Sequence, residues 1–477
     1  MPRIMIAAPS SGSGKTTIVC GLLQALLDRD RKVHCFKCGP DYIDPMFHRT
    51  VLGIPTGNLD SFFVNTRMLR YLLQEKDQEC LEEPAISENL EDKRITVLEG
   101  VMGYYDGKSV NTIEGSSYDL ARKLDTPVLL VVNGKGASLS IVAMIQGFLS
   151  YQSPSMIQGI LLNQVSASIY QGLKHQIEET LHVPVVGYLP VQQDLVLSGR
   201  HLGLVSPDEI GDVHTKIRQL AKRMEETIDV EQIIEIANQT EDISDTVPIE
   251  VEGYEGFCRA IKGQREGIRI AIARDSAFCF YYQENIRFLQ KAGVTLAPFS
   301  PIGDEKLPEN IQGLLLGGGY PELHARALSE NQSMMRQIRS CLEQGLPCLA
   351  ECGGYLYLQE TLEDDGGDTY PMVGFFTGHG KRAEKRTRFG YIDIRMNGDS
   401  ILGKAGTSLP GHEFHYWESD QEGDQAVAYK PDNVRSWNCE RSKAQTLAGF
   451  PHYYFPGNLV ALQNFIQCCL DYGLQSL

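Results

Sequence analysis

The sequence predicts an α/β protein built from two doubly wound domains. Three observations predict it: short apolar runs alternate with amphipathic stretches, that rhythm breaks near residue 241, and the chain is 477 residues long. At roughly 100–200 residues per domain, such a length exceeds one ordinary core. Hydrophobic residues make up 42% and charged residues 22%, so there is apolar material for two buried interiors.

In the first part, RIMIAAP reads as a strand, TIVCGLLQALLDRD as a helix and KVHCFKCGP as the next strand. ITVLEG, TPVLLVVNG, IQGILLNQV and VPVVGYLP follow as further strands with helical stretches between, the rhythm of parallel βαβ units. From 241 to 266 the chain turns acidic and loses its apolar period, as in EDISDTVPIEVEGYEG. That stretch is expected to be a linker between domains at 1–240 and 267–477. The α/β rhythm restarts at GIRIAIARD and runs through the helix-like YYQENIRFLQKAG, the strand GLLLGGG and the segment PCLAECGG.

The formal charge is −17, which argues against a general hold on nucleic acid, because phosphate neutralisation needs clustered Lys and Arg. No run approaches the ~20 apolar residues that cross a bilayer, and the opening MPRIMIAAPSSGSGKTT lacks the pattern of a secretory leader. A cytoplasmic protein with no membrane or nucleic-acid partner is expected. Twelve scattered cysteines fit reduced thiols rather than a disulfide framework. Cys35 and Cys38 lie in a strand and read as packing residues, as do Cys468 and Cys469 in a C-terminal helix.

PSSGSGKTT stands between a strand and a helix, the context of a phosphate-binding loop. Gly12 and Gly14 let backbone N–H groups converge on phosphates, Ser13 and Thr17 complete the loop, Lys15 supplies charge and Thr16 a hydroxyl for magnesium. Pro9 stands at the first glycine position of the usual pattern. A nucleotide site also needs carboxylates for the metal and, in a ligase, for an acid substrate. GPDYIDP offers Asp41 and Asp44, and LEGVMGYYDG offers Glu99 at a strand end and Asp106 in the following turn. Thr16, Asp41 and Glu99 are the expected magnesium ligands.

Cys352 in PCLAECGGYLYL follows a strand and precedes a glycine pair, as in a nucleophile elbow. The Gly353 N–H would face an oxyanion, and Gly318 and Gly319 in LLLGGGYPELHA could bring a second donor close. A thiol needs a base, and His412, His415 and His452 are the candidates.

Taken together, PSSGSGKTT, KCGPDYIDP, LEGVMGYYDG, ILLNQV, RHLGL, ARDSAFCFYYQEN, GGGYPELHA, AECGGYLYL and GHEFHYWE resemble the cobyrinic acid a,c-diamide synthase family, in the family's order and over nearly the whole chain. The resemblance implies a dethiobiotin-synthetase-like P-loop domain followed by a flavodoxin-like class I glutamine amidotransferase domain. It implies ATP and Mg2+, glutamine as amido donor and a tetrapyrrole substrate: cobyrinic or hydrogenobyrinic acid, with nickel sirohydrochlorin as the alternative macrocycle. Cys352 would be the glutaminase nucleophile and His452 its base. Asp41, Tyr42, Asp44, Glu99 and Asp106 would serve the synthetase reaction, Asn163 would read the adenine, and a homodimer is possible. Two positions depart from the pattern. Tyr454 stands where the wider amidotransferase class has a Glu that orients the histidine, and Asn133 stands where an Asp is expected. A P-loop switch without ligase chemistry is the reading from another class, but it leaves GGGYPELHA and AECGG unexplained.

Overall fold

Seven short strands rich in Ile, Leu and Val form one parallel sheet in the first half of the chain. In the computed structural model, which describes residues 1–82, 93–192, 207–243, 247–262, 267–385, 388–421 and 423–475, the chain divides into two units, Met1–Thr246 and Val247–Leu477. The RHLGL motif at 200–204 lies outside the described residues.

The first unit runs β1 (Arg3–Ala7), α1 (Lys15–Asp28), β2 (Lys32–Cys38), α2 (Ile43–Val51), β3 (Thr56–Leu59), α3 (Thr66–Glu82), β4 (Arg94–Glu99), α4 (Ser117–Lys123), β5 (Val128–Asn133), α5 (Ser140–Tyr151), β6 (Ile157–Asn163), α6 (Ala167–Leu181), β7 (Val185–Leu189), α7 (Pro207–Thr227) and α8 (Val230–Asn238). The sheet order is β3-β2-β4-β1-β5-β6-β7, and every pairing is parallel. Strand residues such as Ile4, Ile6, Val97, Leu129 and Val131 are fully buried, as a parallel sheet covered on both faces requires. Helix α1 lies close against α7: a Cβ at Gly21 would stand 2.3 Å from the sulfur of Met224. Because the strands are parallel, β1, β2, β4 and β6 deliver their C-terminal ends to one edge, where ligands of such sheets bind. Strand β3, TGNL, was not among the strands expected, since it carries one large apolar residue.

The expected linker is in part a helix: α9 (Ile249–Lys262) spans most of 241–266, buries Val251, Tyr254, Cys258 and Ile261, and belongs to the second unit. Its apolar residues recur at helical spacing, but the surrounding acids and two glycines hide the period.

The second unit centres on a sheet of β8 (Arg269–Ala273), β9 (Thr295–Phe299), β10 (Gly313–Leu316), β11 (Cys348–Glu351), β12 (Arg441–Lys443) and β13 (Thr446–Gly449), ordered β9-β8-β10-β11-β13-β12. All pairings are parallel except that of β12 with β13. A five-stranded antiparallel sheet adds to it, with Phe389–Met396 at its centre and the strands Ser408–Phe414 and His452–Tyr453 on one side. Nothing in the sequence rhythm announced that second sheet.

Candidate functional site

The loop between β1 and α1 is shaped by two glycines with positive φ, 77° at Gly12 and 92° at Gly14, a region that favours residues without a Cβ. A Cβ at Gly14 would lie 2.3 Å from Asn163 Nδ2, which donates a hydrogen bond to the Ser13 carbonyl at 2.9 Å. Asn163 thus braces the loop from the end of β6. Ser13 donates its hydroxyl to the Ser10 carbonyl at 2.9 Å. Lys15, Thr16 and Thr17 form the first turn of α1, where free N–H groups and the helix dipole favour an anion. Lys15 Nζ donates to the Met102 carbonyl at 2.6 Å and to the Ser10 carbonyl at 3.3 Å. Burial, then the charge of Lys37, lowers its pKa to about 8.

Beside the loop lies a buried charge cluster. Glu99, at the end of β4, is fully buried. Its Oε1 accepts from Thr16 Oγ1 at 2.9 Å and stands 2.9 Å from Lys37 Nζ, while its Oε2 stands 2.9 Å from His48 Nε2. Lys37 also pairs with Asp44 at 2.5 Å and stands 3.9 Å from Asp41. Thr16 Oγ1 lies 3.5 Å from Asp44. Burial would raise the Glu99 carboxyl, but the charge of Lys37 and the contact with His48 outweigh it and hold that carboxyl well below the usual range. For Asp44 the balance reverses: burial first, then the charge of Glu99, raises it to about 7 against the pull of Lys37. Burial opposes the charge on Lys37, yet Glu99, Asp44 and Asp41 together push its pKa well up.

Asp41 plays a different local part. Its Oδ1 accepts from the N–H groups of Ile43 and Asp44 at 2.8 and 3.3 Å, which starts α2, and Asn58 holds the preceding turn through the carbonyls of Gly39 and Asp41. Tyr42 is the N-cap residue of α2 and is buried. Asp106 accepts from the Gly103 N–H at 2.8 Å, closing the turn after Glu99. Asn133 accepts from the N–H of Lys135 at 2.9 Å, a local turn bond.

Lys37 and His48 are the residues of this cluster that the sequence reading missed. Lys37 lies within the strand pattern KVHCFKC, and His48 in a short helix. A lysine at the ligand-side end of a buried strand, two residues before GPDYIDP, was the signal available for the first.

In the second unit, Cys352 follows β11 with φ 49° and ψ −100° and is buried. Its N–H donates to the Gly449 carbonyl at 2.6 Å. A Cβ at Gly353 would fall 2.9 Å from Pro321 Cδ and 3.2 Å from the Gly319 nitrogen, so the missing side chain lets the Gly318–Gly319 segment approach the elbow. Burial, then the charge of Glu322, pushes the Cys352 thiol up, while the Gly353 N–H pulls it back.

The three candidate histidines separate. His415 Nδ1 donates to the Trp417 carbonyl at 2.7 Å, and its ring stacks on Phe450 at 4.0 Å. His412 is hydrogen-bonded through Nδ1 to the Tyr282 hydroxyl at 3.2 Å; burial, then the charge of His452, takes its pKa well down. His452 pairs across the antiparallel sheet with His412, ring on ring at 5.0 Å and 23°. A Cβ at Gly318 would meet His452 Cε1 at 2.6 Å, which places this imidazole beside the glycine segment that faces the elbow. Tyr454 is buried and meets Tyr282 edge-on at 5.0 Å.

A family model for the CobB/CobQ-like glutamine amidotransferase domain matches residues 269–458, and one for an AAA domain matches residues 2–197. The cobyrinate a,c-diamide synthase of Listeria monocytogenes serotype 4b (strain F2365) is 36% identical over 468 residues, which cover 97% of this chain and 98% of that one. The synthase of the same name from Caldanaerobacter subterraneus subsp. tengcongensis is 36% identical over 472 residues, 98% of each chain. That of Dehalococcoides mccartyi (strain CBDB1) is 37% identical over 477 residues, 99% of each chain. With matches of 36–37% identity that span 97–99% of its length, and so both units, the chain belongs to the cobyrinate a,c-diamide synthase family.

Proposed function

We propose that the chain uses ATP and glutamine to convert the a and c side-chain carboxylates of cobyrinic or hydrogenobyrinic acid into amides, in cobalamin biosynthesis. The observation that carries this reading is the joining, in one chain, of a phosphate loop flanked by the Lys37–Glu99–Asp44 cluster with a cysteine elbow beside an imidazole.

In the synthetase half, a substrate carboxylate attacks the γ-phosphorus of ATP, giving an acyl phosphate and ADP. Lys15 and the N–H groups at the start of α1 hold the phosphates, and Asn163 keeps the loop in shape. Lys15 offers positive charge to the incoming substrate carboxylate, while Lys37 holds Glu99 and Asp44 in place beside the loop. Thr16 and Glu99 present oxygen donors 2.9 Å apart, with Asp44 3.5 Å from Thr16, a hard-donor set that suits magnesium; Asp41, the third ligand expected, uses Oδ1 to accept from the N–H groups of Ile43 and Asp44. Held by these oxygens, magnesium would supply neutralising charge at the phosphates.

In the glutaminase half, Cys352 Sγ gives its proton to His452 and adds to the side-chain amide carbon of glutamine. The Gly353 N–H, with one from the Gly318–Gly319 segment, stabilises the oxyanion. The C–N bond breaks as His452 returns the proton to nitrogen, and water then clears the thioester to give glutamate. The ammonia displaces phosphate from the acyl phosphate and forms the amide.

The test is to incubate the protein with ATP, Mg2+ and glutamine, with and without cobyrinic acid, and to follow glutamate release and macrocycle mass. A gain of two amide groups with glutamate formed in step is expected. Glutamate release and ATP turnover with an unaltered macrocycle would overturn the substrate assignment and direct the same assay to nickel sirohydrochlorin. A Cys352→Ser variant should lose glutamine-dependent synthesis and keep synthesis from added ammonia.

A further inference from the structure

In the second unit the position two residues after the catalytic-site histidine carries no acid. Tyr454 fills it, and its ring is committed to Tyr282. A carboxylate nevertheless reaches the imidazole from the other direction. Glu351, the last residue of β11 and the immediate neighbour of Cys352, places Oε2 3.6 Å from His452 Nδ1. Its other oxygen, Oε1, accepts from the Tyr453 N–H at 3.3 Å, so the side chain is held against the strand that carries the histidine. It is largely enclosed, at 12% exposure, beside a His452 side chain at 2%.

We propose that Glu351 is the positioning residue for His452, taking over from β11 the orienting task that an acid downstream of the histidine performs in other amidotransferases. This rests on the glutaminase reading given above. A carboxylate at Nδ1 fixes that nitrogen as the protonated one, turns Nε2 toward the thiol and stabilises the imidazolium that forms when the thiol gives up its proton. The 3.6 Å separation is longer than a hydrogen bond, and such contacts commonly tighten only when substrate is bound.

The groups around the pair agree with this division. His412, stacked on the histidine ring, is kept neutral by burial and by the charge of His452, so it adds no positive charge against an imidazolium. Glu440 is buried and its carboxyl is pushed well up, first by burial and then by the charges of Glu351 and Glu413 despite a contact with Tyr453. The elbow joins nucleophile and orienter covalently: whatever moves Cys352 moves Glu351 with it.

Glu351→Gln keeps the size of the side chain and an oxygen for the Tyr453 N–H but removes the charge. With glutamine as donor, kcat should fall by at least about a hundredfold and at most the roughly 10⁴-fold that losing an imidazole's orienting carboxylate costs in a hydrolase triad, while KM for glutamine changes less than about twofold, as for an interaction made only in the transition state. The limb of the kcat–pH profile that belongs to His452 should move to lower pH, and Glu351→Asp should recover part of the rate. Ammonia-dependent synthesis should equal that of the parent, which separates a lost supply of ammonia from a lost synthetase, and an unchanged thermal melt of the variant serves as the control for folding. An unchanged glutamine-dependent kcat in Glu351→Gln would overturn the proposal, as would an equal loss with ammonia or a loss confined to KM. If the parent itself releases no glutamate, it is the glutaminase reading that fails.

Discussion

Lys37 stands between two carboxyl groups, 2.9 Å from Glu99 and 2.5 Å from Asp44, with all three side chains enclosed. Removing one partner of such a buried arrangement leaves an uncompensated charge, which costs about 3–5 kcal/mol. Lys37→Met should therefore lower the stability of the first unit by that order in denaturant unfolding. Combining it with Glu99→Gln should restore part of the loss, and a double variant no more stable than Lys37→Met would remove the cluster as the cause.

Asp44 gives the cluster a pH signature. Its carboxyl is raised to about 7, by burial and then by Glu99, so the folded state binds the proton more tightly than the unfolded chain, where an Asp titrates near about 3.9. The stability this group contributes is full below about pH 4 and is lost as pH rises through about 7. Asp44→Asn, fixed in a neutral form, should melt higher than the parent, by a margin that grows from pH 5 to pH 8. A margin constant across that range would contradict the assignment.

Gly14 tests the loop. Because its φ is 92° and a Cβ would strike Asn163 Nδ2 at 2.3 Å, Gly14→Ala must distort the loop or expel the amide that braces it. ATP affinity, read by calorimetry, should fall at least about tenfold, since the N–H groups no longer converge on the phosphates. Glutaminase chemistry at Cys352 should not need this glycine, so glutamate release measured without ATP should match the parent.

Gly318 is the corresponding position in the second unit. A methyl group there would come 2.6 Å from His452 Cε1 and push the imidazole away from the elbow. Gly318→Ala should lower glutamine-dependent kcat by roughly 10²-fold, the scale on which small misplacements of reacting groups act, while synthesis from ammonia persists. Parent-like glutamine turnover would show that the ring tolerates the shift.

The fold was legible where local pattern decides it. RIMIA, VLLVVN and CLAE are short apolar strands before glycine-rich turns; Glu99 and Cys352 follow from their places at strand ends, and Lys15 from its place between the glycine loop and the helix. Lys37 was hidden because one lysine in KVHCFKC does not disturb a strand pattern, and only the sheet order, which sets β2 beside β4, brings it to Glu99. Glu351 was hidden for a related reason. Its contact with His452 joins the end of β11 to a strand about a hundred residues later, and an acid beside a cysteine has no period that marks it. Helix α9 was lost in the acidity of its surroundings, and the antiparallel sheet in strands whose polar faces resemble loops.

Cys352 has one more implication. A residue with a Cβ at φ 49° is held in a conformation that costs of order 1–3 kcal/mol and survives only where its surroundings over-determine it. Here they are β11, clamped between β10 and β13, and the bond from the Cys352 N–H to Gly449. The sulfur is therefore aimed by the stiffness of a sheet rather than by its own preferences. Loosening that sheet, even by one methyl group removed from Leu349 or Leu447, would let the turn relax toward ordinary backbone, and reactivity would decline while the molecule was still folded.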